Sequence, residues 1–524
     1  MKYAELILLL QIAVVILVVW AGRLRVSYPV FLVLGGLVLS CIPGIPSPQL
    51  DPKIVFLLFL PPILHYAALL TDWRAFRANL GAISSLAVAL ILFTTTLVAA
   101  VAHYWIGVPW AIGFILGAII SPPDAVAATA VIATLRLPVS LGTIIEGESL
   151  VNDATALVIY QFAVAAVIEN HFSLPAAIGS FALAGGGGIA LGLVLGYFSL
   201  RARLAVQNSS VSIMIMLMSP FCVYVLAELA GVSSVLATVT AGLLVTQMGL
   251  TRLPSATRIQ VRAIWDALVF FINGFAFVLI GLQLPHVAGG LHAEGRLGIL
   301  TLQAAVICFA VIAARFLFIL PGYGLIRVWR HHHHPSLAPA ALGWRGAILV
   351  SWAGMRGIVS LAAALAVPFA FDEHTAFPYR EEIIYVSFFV IVVTLVLQGL
   401  SLPMFIHYLH LETSEDDLAG EARAQLAMAD TALKELELVR QQEKLPDYFE
   451  SFIRQRYAEL QESARRDAGD LPADHFTYPG RIRVWQRLIE AERRQLLHLH
   501  NTAQINETSF RRLLSRLDHR EATL

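Results

Sequence analysis

The chain has 524 residues, 58% of them hydrophobic and only 14% charged, with 36 acidic and 36 Lys or Arg side chains and a mean hydropathy of +0.73. Soluble globular chains carry about 25% charged residues, so a wholly water-soluble protein is excluded. The zero balance itself says nothing about nucleic acid, but the charges are segregated by topology and not gathered into one basic face, and no nucleic-acid partner is expected. The charges are segregated: 38 fall from Glu412 onward and 34 in the much longer stretch before it. That pattern predicts an all-α polytopic membrane domain over residues 1–410 and a helical cytoplasmic tail over 411–524.

Lys2 alone precedes the first apolar run, and Arg23 and Arg25 follow it. A cleaved signal carries its charge on the other flank, so residues 4–21 read as the first transmembrane helix. A crossing needs about 20 apolar residues. Gly, Pro and charge clusters set the further spans near 27–42, 53–70, 81–104, 110–134, 141–169, 174–200, 211–231, 233–248, 263–284, 298–328, 344–368 and 382–409, thirteen in all. With the N-terminus outside, the cytoplasmic loops hold thirteen arginines between Arg23 and Arg345, and the opposite side holds Lys2, Lys53, Arg296 and Arg380. This follows the positive-inside rule, and an odd number of spans puts the tail in the cytoplasm. Cys41, Cys222 and Cys308 lie far apart in apolar runs without ligand or disulfide spacing and read as buried packing residues.

Charge at bilayer depth is costly, so an acid inside a span is a functional candidate. Ser121-Pro122-Pro123-Asp124 interrupts the fifth span. Two prolines remove amide donors and break the helix, and freed backbone groups at that depth need protein or a water-filled cavity beside them. Asp124 follows the break, where its carboxylate would cap a new helix and meet its positive end; a capped kink is the plainer alternative. In the sixth span, Gly147-Glu148-Ser149-Leu150-Val151-Asn152-Asp153 places Glu148 four before Asn152 and Ser149 four before Asp153, which predicts one polar helix face. A carboxyl taken out of water favours its protonated form, and so can trade a proton for a hard monovalent cation, with Asn152, Ser149 or backbone oxygens completing the shell. The alternative is a structural network between helices.

Gly354-Met355-Arg356-Gly357 interrupts the twelfth span. The glycines permit a broken helix, and Arg356 needs an anion or a helix C-terminus nearby; it neutralises an acid of the second cluster, holds the fold together, or does both. Glu228, Asp266, Asn273 and Arg315 stand near span ends or alone and read mainly as snorkelling or capping groups. The two broken spans are offset by seven, an odd number, which predicts inverted repeats with discontinuous helices meeting near the midplane. His331 to His334 form a run on the cytoplasmic side, a basic loop before it is a metal or pH site. In the tail, helical patterns at Ala419–Lys444 and Arg481–Leu496 are separated by Leu445-Pro446 and Tyr478-Pro479-Gly480.

The strings FLPPILHYAALL, SPPDAVAATAVI, GESLVNDATALVIY and WAGMRGIVSLAAALAVP, in that order over residues 5–410, resemble the monovalent cation/proton antiporters, specifically the bacterial relatives of the animal sodium/proton exchangers. The resemblance implies a multi-pass inner-membrane homodimer in membrane lipid, with crossed unwound fifth and twelfth helices and alternating access. It implies Na⁺ (or K⁺ or Li⁺) and H⁺ as transported ions, with no cofactor and no enzymatic chemistry. By the same likeness Asp153 binds ion and proton and Asn152 is its partner, an Asn-Asp pair implying electroneutral exchange and a role in intracellular pH and sodium homeostasis. Asp124 and Ser149 stand beside that site, and Glu148 and Arg356 compensate charge in the core. Two departures stand out. Pro123 occupies the position where many relatives have threonine, leaving Ser121 or backbone carbonyls as ligands. His65-Tyr66 follow Pro61-Pro62, where relatives often carry an acid. A K⁺/H⁺ antiporter of the same mechanism is the nearest rival, and a channel or membrane sensor the rival of another class. A hydrolase is disfavoured because no serine sits in a nucleophile motif and no HExxH occurs.

Overall fold

The computed structural model describes residues 3–24, 27–42, 52–124, 139–169, 174–206, 208–249, 252, 255–293, 296–333, 343–370, 377–411, 415–442, 446–467, 481–502, 513–514 and 517. The chain divides into two compact units, Met1–Thr413 and Ser414–Leu524, and every regular element among the described residues is helical.

The first unit contains α1 (Tyr3–Leu24), α2 (Tyr28–Ser40), α3 (Pro52–Leu70), the short α4 (Trp73–Ala78) and the rod α5 (Leu80–Ile106). They are followed by α6 (Trp110–Ile120), α7 (Val139–Glu169), α8 (Leu174–Ala205), α9 (Ser209–Leu229) and α10 (Ser234–Gly249). The last are α11 (Ser255–Ala293), α12 (Leu297–His333), α13 (Trp344–Trp352), α14 (Ile358–Leu365) and α15 (Arg380–Tyr408). Each predicted apolar segment coincides with helix, the fifth as far as Ile120. Among the described residues, seven helices are long and apolar enough to cross a membrane and five more are shorter apolar helices; the twelfth segment is divided between α13 and α14.

The surface is apolar where a soluble protein's would be polar: Leu8, Ile12, Val15, Ile16 and Val19 of α1 are all exposed, as expected of a helix solvated by lipid tails. Lipid removes the hydrophobic drive between helices, so close packing of small residues must hold them together. On α8, Gly188, Gly192 and Gly196 recur every four residues, and a Cβ on each would strike the backbone of Ser233, Ala237 or Ala241. Gly113 and Gly117 of α6 press likewise on Ala99 and Thr95 of α5. Two of the three cysteines depart from the expected burial: Cys41 and Cys222 are exposed, and only Cys308 is buried. An apolar neighbourhood in a membrane chain marks lipid contact as readily as core. The histidine run is also helix rather than loop through His333, the end of α12; His334 lies outside the described residues.

The second unit is α16 (Glu415–Gln442), α17 (Asp447–Asp467) and α18 (Arg481–Asn501). Exposed ion pairs join α16 to α17, Arg440 to Glu450 at 3.2 Å and Arg454 to Glu437. Gln461 Nε2 donates to Asp430 Oδ1 at 2.6 Å. Ile489 and Leu496 of α18 cluster with Leu517.

Candidate ion-binding site

The two broken spans meet at their breaks. Pro122 and Pro123 end α6 at Ile120, and the Asp124 amide donates to Met355 O at 2.6 Å, in the gap between α13 and α14. The Asp124 carboxylate accepts from the Ile358 amide at 3.3 Å. It therefore caps α14, the other broken helix, and sits at that helix's positive end. The expectation that it caps a helix of its own concerns residues 125 onward, which lie outside the described residues. In the reverse sense, Arg356 Nε donates to Ile120 O at 2.9 Å, the negative end of α6, and its Nη1 to Gly354 O. Each break thus carries the charge that suits the other helix's end.

Arg356 makes no ion pair among the described residues; helix carbonyls are its partners, as the fold-holding alternative expects. The counter-charge comes from Arg315, which sequence reasoning had placed among snorkelling groups. Arg315 is 2% exposed and grips Glu148 with two bonds, at 2.6 and 3.0 Å. It also donates to Val350 O at 2.8 Å and Ser351 O at 3.3 Å, at the end of α13. The glycines flanking Arg356 serve a purpose beyond breaking a helix. A Cβ on Gly354 would collide with the Arg315 side chain, and one on Gly357 with the Asp124 carboxylate.

The acidic stretch of α7 divides between two faces, where one had been expected. Glu148 turns to Arg315, and Asn152 Nδ2 donates to Pro123 O at 3.0 Å, tying α7 to the break of α6. Ser149 and Asp153 turn the other way, into a cavity of about 490 Å³ whose wall also includes Pro123, Asp124 and Gly357. Asp153 is 4% exposed and Asn152 fully buried. Ser121, a candidate ligand, is directed elsewhere: its Oγ bonds Gly117 O at 2.5 Å and Thr95 Oγ1 at 2.8 Å, and it is absent from the cavity wall.

Three groups on that wall were missed or undervalued in the sequence. Glu146, one turn before Leu150, faces the cavity beside Ser149 and Asp153; its spacing of seven from Asp153 was the available signal. From α11 come Asp266 and Asn273. Asp266 is exposed and accepts a short hydrogen bond from the Tyr66 hydroxyl, so Tyr66 joins an acid where relatives carry one. Asn273 is 3% exposed. Glu228, by contrast, is exposed at the end of α9, as a snorkelling group would be. The described wall holds four carboxylates, Asp124, Glu146, Asp153 and Asp266, and no Lys, Arg or His.

Residues 9–407 match the profile of the transmembrane sodium/hydrogen exchangers. The chain belongs to this family. An uncharacterised Na⁺/H⁺ exchanger of Mycobacterium tuberculosis is 33% identical over 99% of this chain and 95% of its own. A sodium, potassium, lithium and rubidium/H⁺ antiporter of Bacillus subtilis is 31% identical over 68% of this chain and 54% of its own. The sodium proton antiporter MjNhaP1 of Methanocaldococcus jannaschii shares the fold, with a TM-score of 0.60 at 18% identity, over 78% of this chain and 99% of that one. The exchanger is therefore a multi-span membrane protein built for cation/proton antiport.

Proposed function

We propose that this exchanger is an electroneutral Na⁺/H⁺ antiporter in which the Asp153 carboxyl carries either one proton or one Na⁺. The observation that carries the reading is the contrast among the charges around the two breaks. Asp124 rests on the N-terminus of α14, Arg356 on the C-terminus of α6, and Glu148 on Arg315. Asp153 is buried at the cavity wall with no basic group on that wall. Protonated or cation-bound, it is neutral; empty, it is a bare charge in a medium that penalises charge. Only the two loaded forms reorient cheaply, which couples one ion to the other. Asn152 beside it spends its amide on Pro123 O and adds no second exchanging charge, so the exchange is one for one. Ser149 Oγ and neighbouring carbonyls suit a hard monovalent cation.

In the same proposal the protein works by alternating access as a homodimer of thirteen-span inverted-repeat protomers in the inner membrane. Its N-terminus is outside and its tail cytoplasmic, and it serves pH and sodium homeostasis without cofactor or enzymatic chemistry. The names of the relatives favour Na⁺ over K⁺ as the principal ion: sodium is in each, and potassium is named for the Bacillus proteins only beside sodium. The test is dequenching of a pH dye in proteoliposomes with an imposed pH gradient, run with Na⁺, Li⁺ and K⁺ salts. Na⁺ should dissipate the gradient, Asp153→Asn should abolish the response, and valinomycin with K⁺ should not accelerate it. Wild-type rates in Asp153→Asn would refute the role of Asp153; acceleration by valinomycin would refute electroneutrality.

A further inference from the structure

The cavity has depth, and its acids are ordered along it. Asp153 and Asn273 are almost wholly buried, Glu146 is half-buried and Asp266 exposed. Glu146, Ser149 and Asp153 succeed one another on one face of α7 at spacings of three and four, so the two acids stand about 10 Å apart along the helix axis. Across the cavity, Asp266 and Asn273 repeat the arrangement on α11, seven residues apart.

We propose that Glu146 is the cation-gathering group of the exchange cycle, holding an incoming monovalent cation near the cavity mouth before it passes to Asp153. The inference rests on the reading of Asp153 as the exchanging carboxyl. Three observations carry it. Glu146 forms no ion pair among the described residues, whereas Asp266 is engaged by Tyr66 and Asp124 by the Ile358 amide. The charged and titratable groups facing it from the packed elements are Tyr28, Tyr66, Asp124, Asp153 and Asp266, none of them basic, so nothing on the wall would displace a cation. Deeper in, the Oδ1 of Asn273 is buried with no hydrogen-bond partner and lines the same cavity. That unpaired carbonyl oxygen replaces a water ligand as the ion leaves Glu146. A concave surface of one sign raises the local concentration of counter-ions, and Glu146 adds to that field a charge that no basic partner cancels.

The test compares the Na⁺ KM of purified wild type, Glu146→Gln and Glu146→Asp in proteoliposomes, with Asp153→Asn alongside. Removing a unit charge about 10 Å from the ion in a partly hydrated cavity should raise the KM about three- to tenfold, with the change falling on KM rather than on kcat. The rise should shrink as choline chloride is added, because the cavity is open to screening ions, and Glu146→Asp should restore most of the affinity. A purely structural role would give neither the salt dependence nor the rescue. An unchanged KM in Glu146→Gln, or a raised KM indifferent to salt, overturns the proposal while leaving Asp153 untouched. Wild-type exchange by Asp153→Asn overturns the underlying reading and this one with it. Should Glu146→Gln not reach the membrane, Glu146→Ala carries the same expectations.

Discussion

Glu148 and Asp153 stand little more than a turn apart on α7, yet they occupy opposite conditions. Glu148 is buried and locked by two bonds to Arg315, which in turn bonds the end of α13. Asp153 is on the cavity face, among other acids and with no basic group on the described wall. Two carboxyls of similar chemistry are thus assigned to fixed structure and to exchange by what lies across from each. A buried charge with a fitted partner has nothing to trade, whereas one facing water and ions does.

The largest effect on stability should come from breaking the buried pair. Arg315→Met leaves Glu148 buried without compensation, which costs about 3–5 kcal/mol; the purified protein should melt well below wild type. Because apolar replacement of a whole buried pair is often near neutral, Glu148→Leu combined with Arg315→Met should recover most of the loss. A single variant that melts like wild type would show that the pair does not hold the fold. On the cavity face the pattern should invert, Asp153→Asn losing exchange while its melting temperature holds.

A smaller effect is expected where the faces converge. Gly357→Ala would press a methyl group into the Asp124 carboxylate, at a cost of about 1–3 kcal/mol for overpacking. Exchange should slow and the melting temperature fall moderately; wild-type rates would mean that the Asp124 bond to Ile358 is dispensable. The smallest effect belongs to the tail. The hydrogen bond and charge of Arg454 hold the Glu437 carboxyl below its usual range. Since the folded-state value is the depressed one, the pair contributes above the ordinary glutamate pKa and its contribution fades as pH falls through the lowered value. Exposed pairs are weak, so Arg454→Gln should leave thermal melting at neutral pH without a resolvable change and match wild type in acid.

The sequence showed the spans and both breaks clearly, because hydrophobic run length, Pro122-Pro123 and Gly354-Met355-Arg356-Gly357 are local signals with local causes. Partnerships across the fold were less legible. Arg315 lies 167 residues from Glu148, and nothing in its own neighbourhood distinguishes a paired arginine from a snorkelling one. Ser121 looked like a ligand because it adjoins the break, but its hydroxyl had a nearer acceptor one turn back at Gly117. Reading Glu148 to Asp153 as one polar face overlooked the 100° between neighbouring residues of a helix, which sends adjacent side chains to different surroundings. The same oversight hid Glu146, outside the motif yet on the cavity side.

The bond between Arg356 and Ile120 spans 236 residues, and this has a consequence for biogenesis. While α6 and α7 are being inserted, the segment that will satisfy the Ile120 carbonyl, be capped by Asp124 and receive Arg315 has not yet been synthesised. The nascent chain must wait in the bilayer with exposed polar groups until residues 344–358 arrive. A chain truncated ahead of Trp344 would keep those groups unsatisfied for good, and membrane quality control should clear it, however complete its earlier helices.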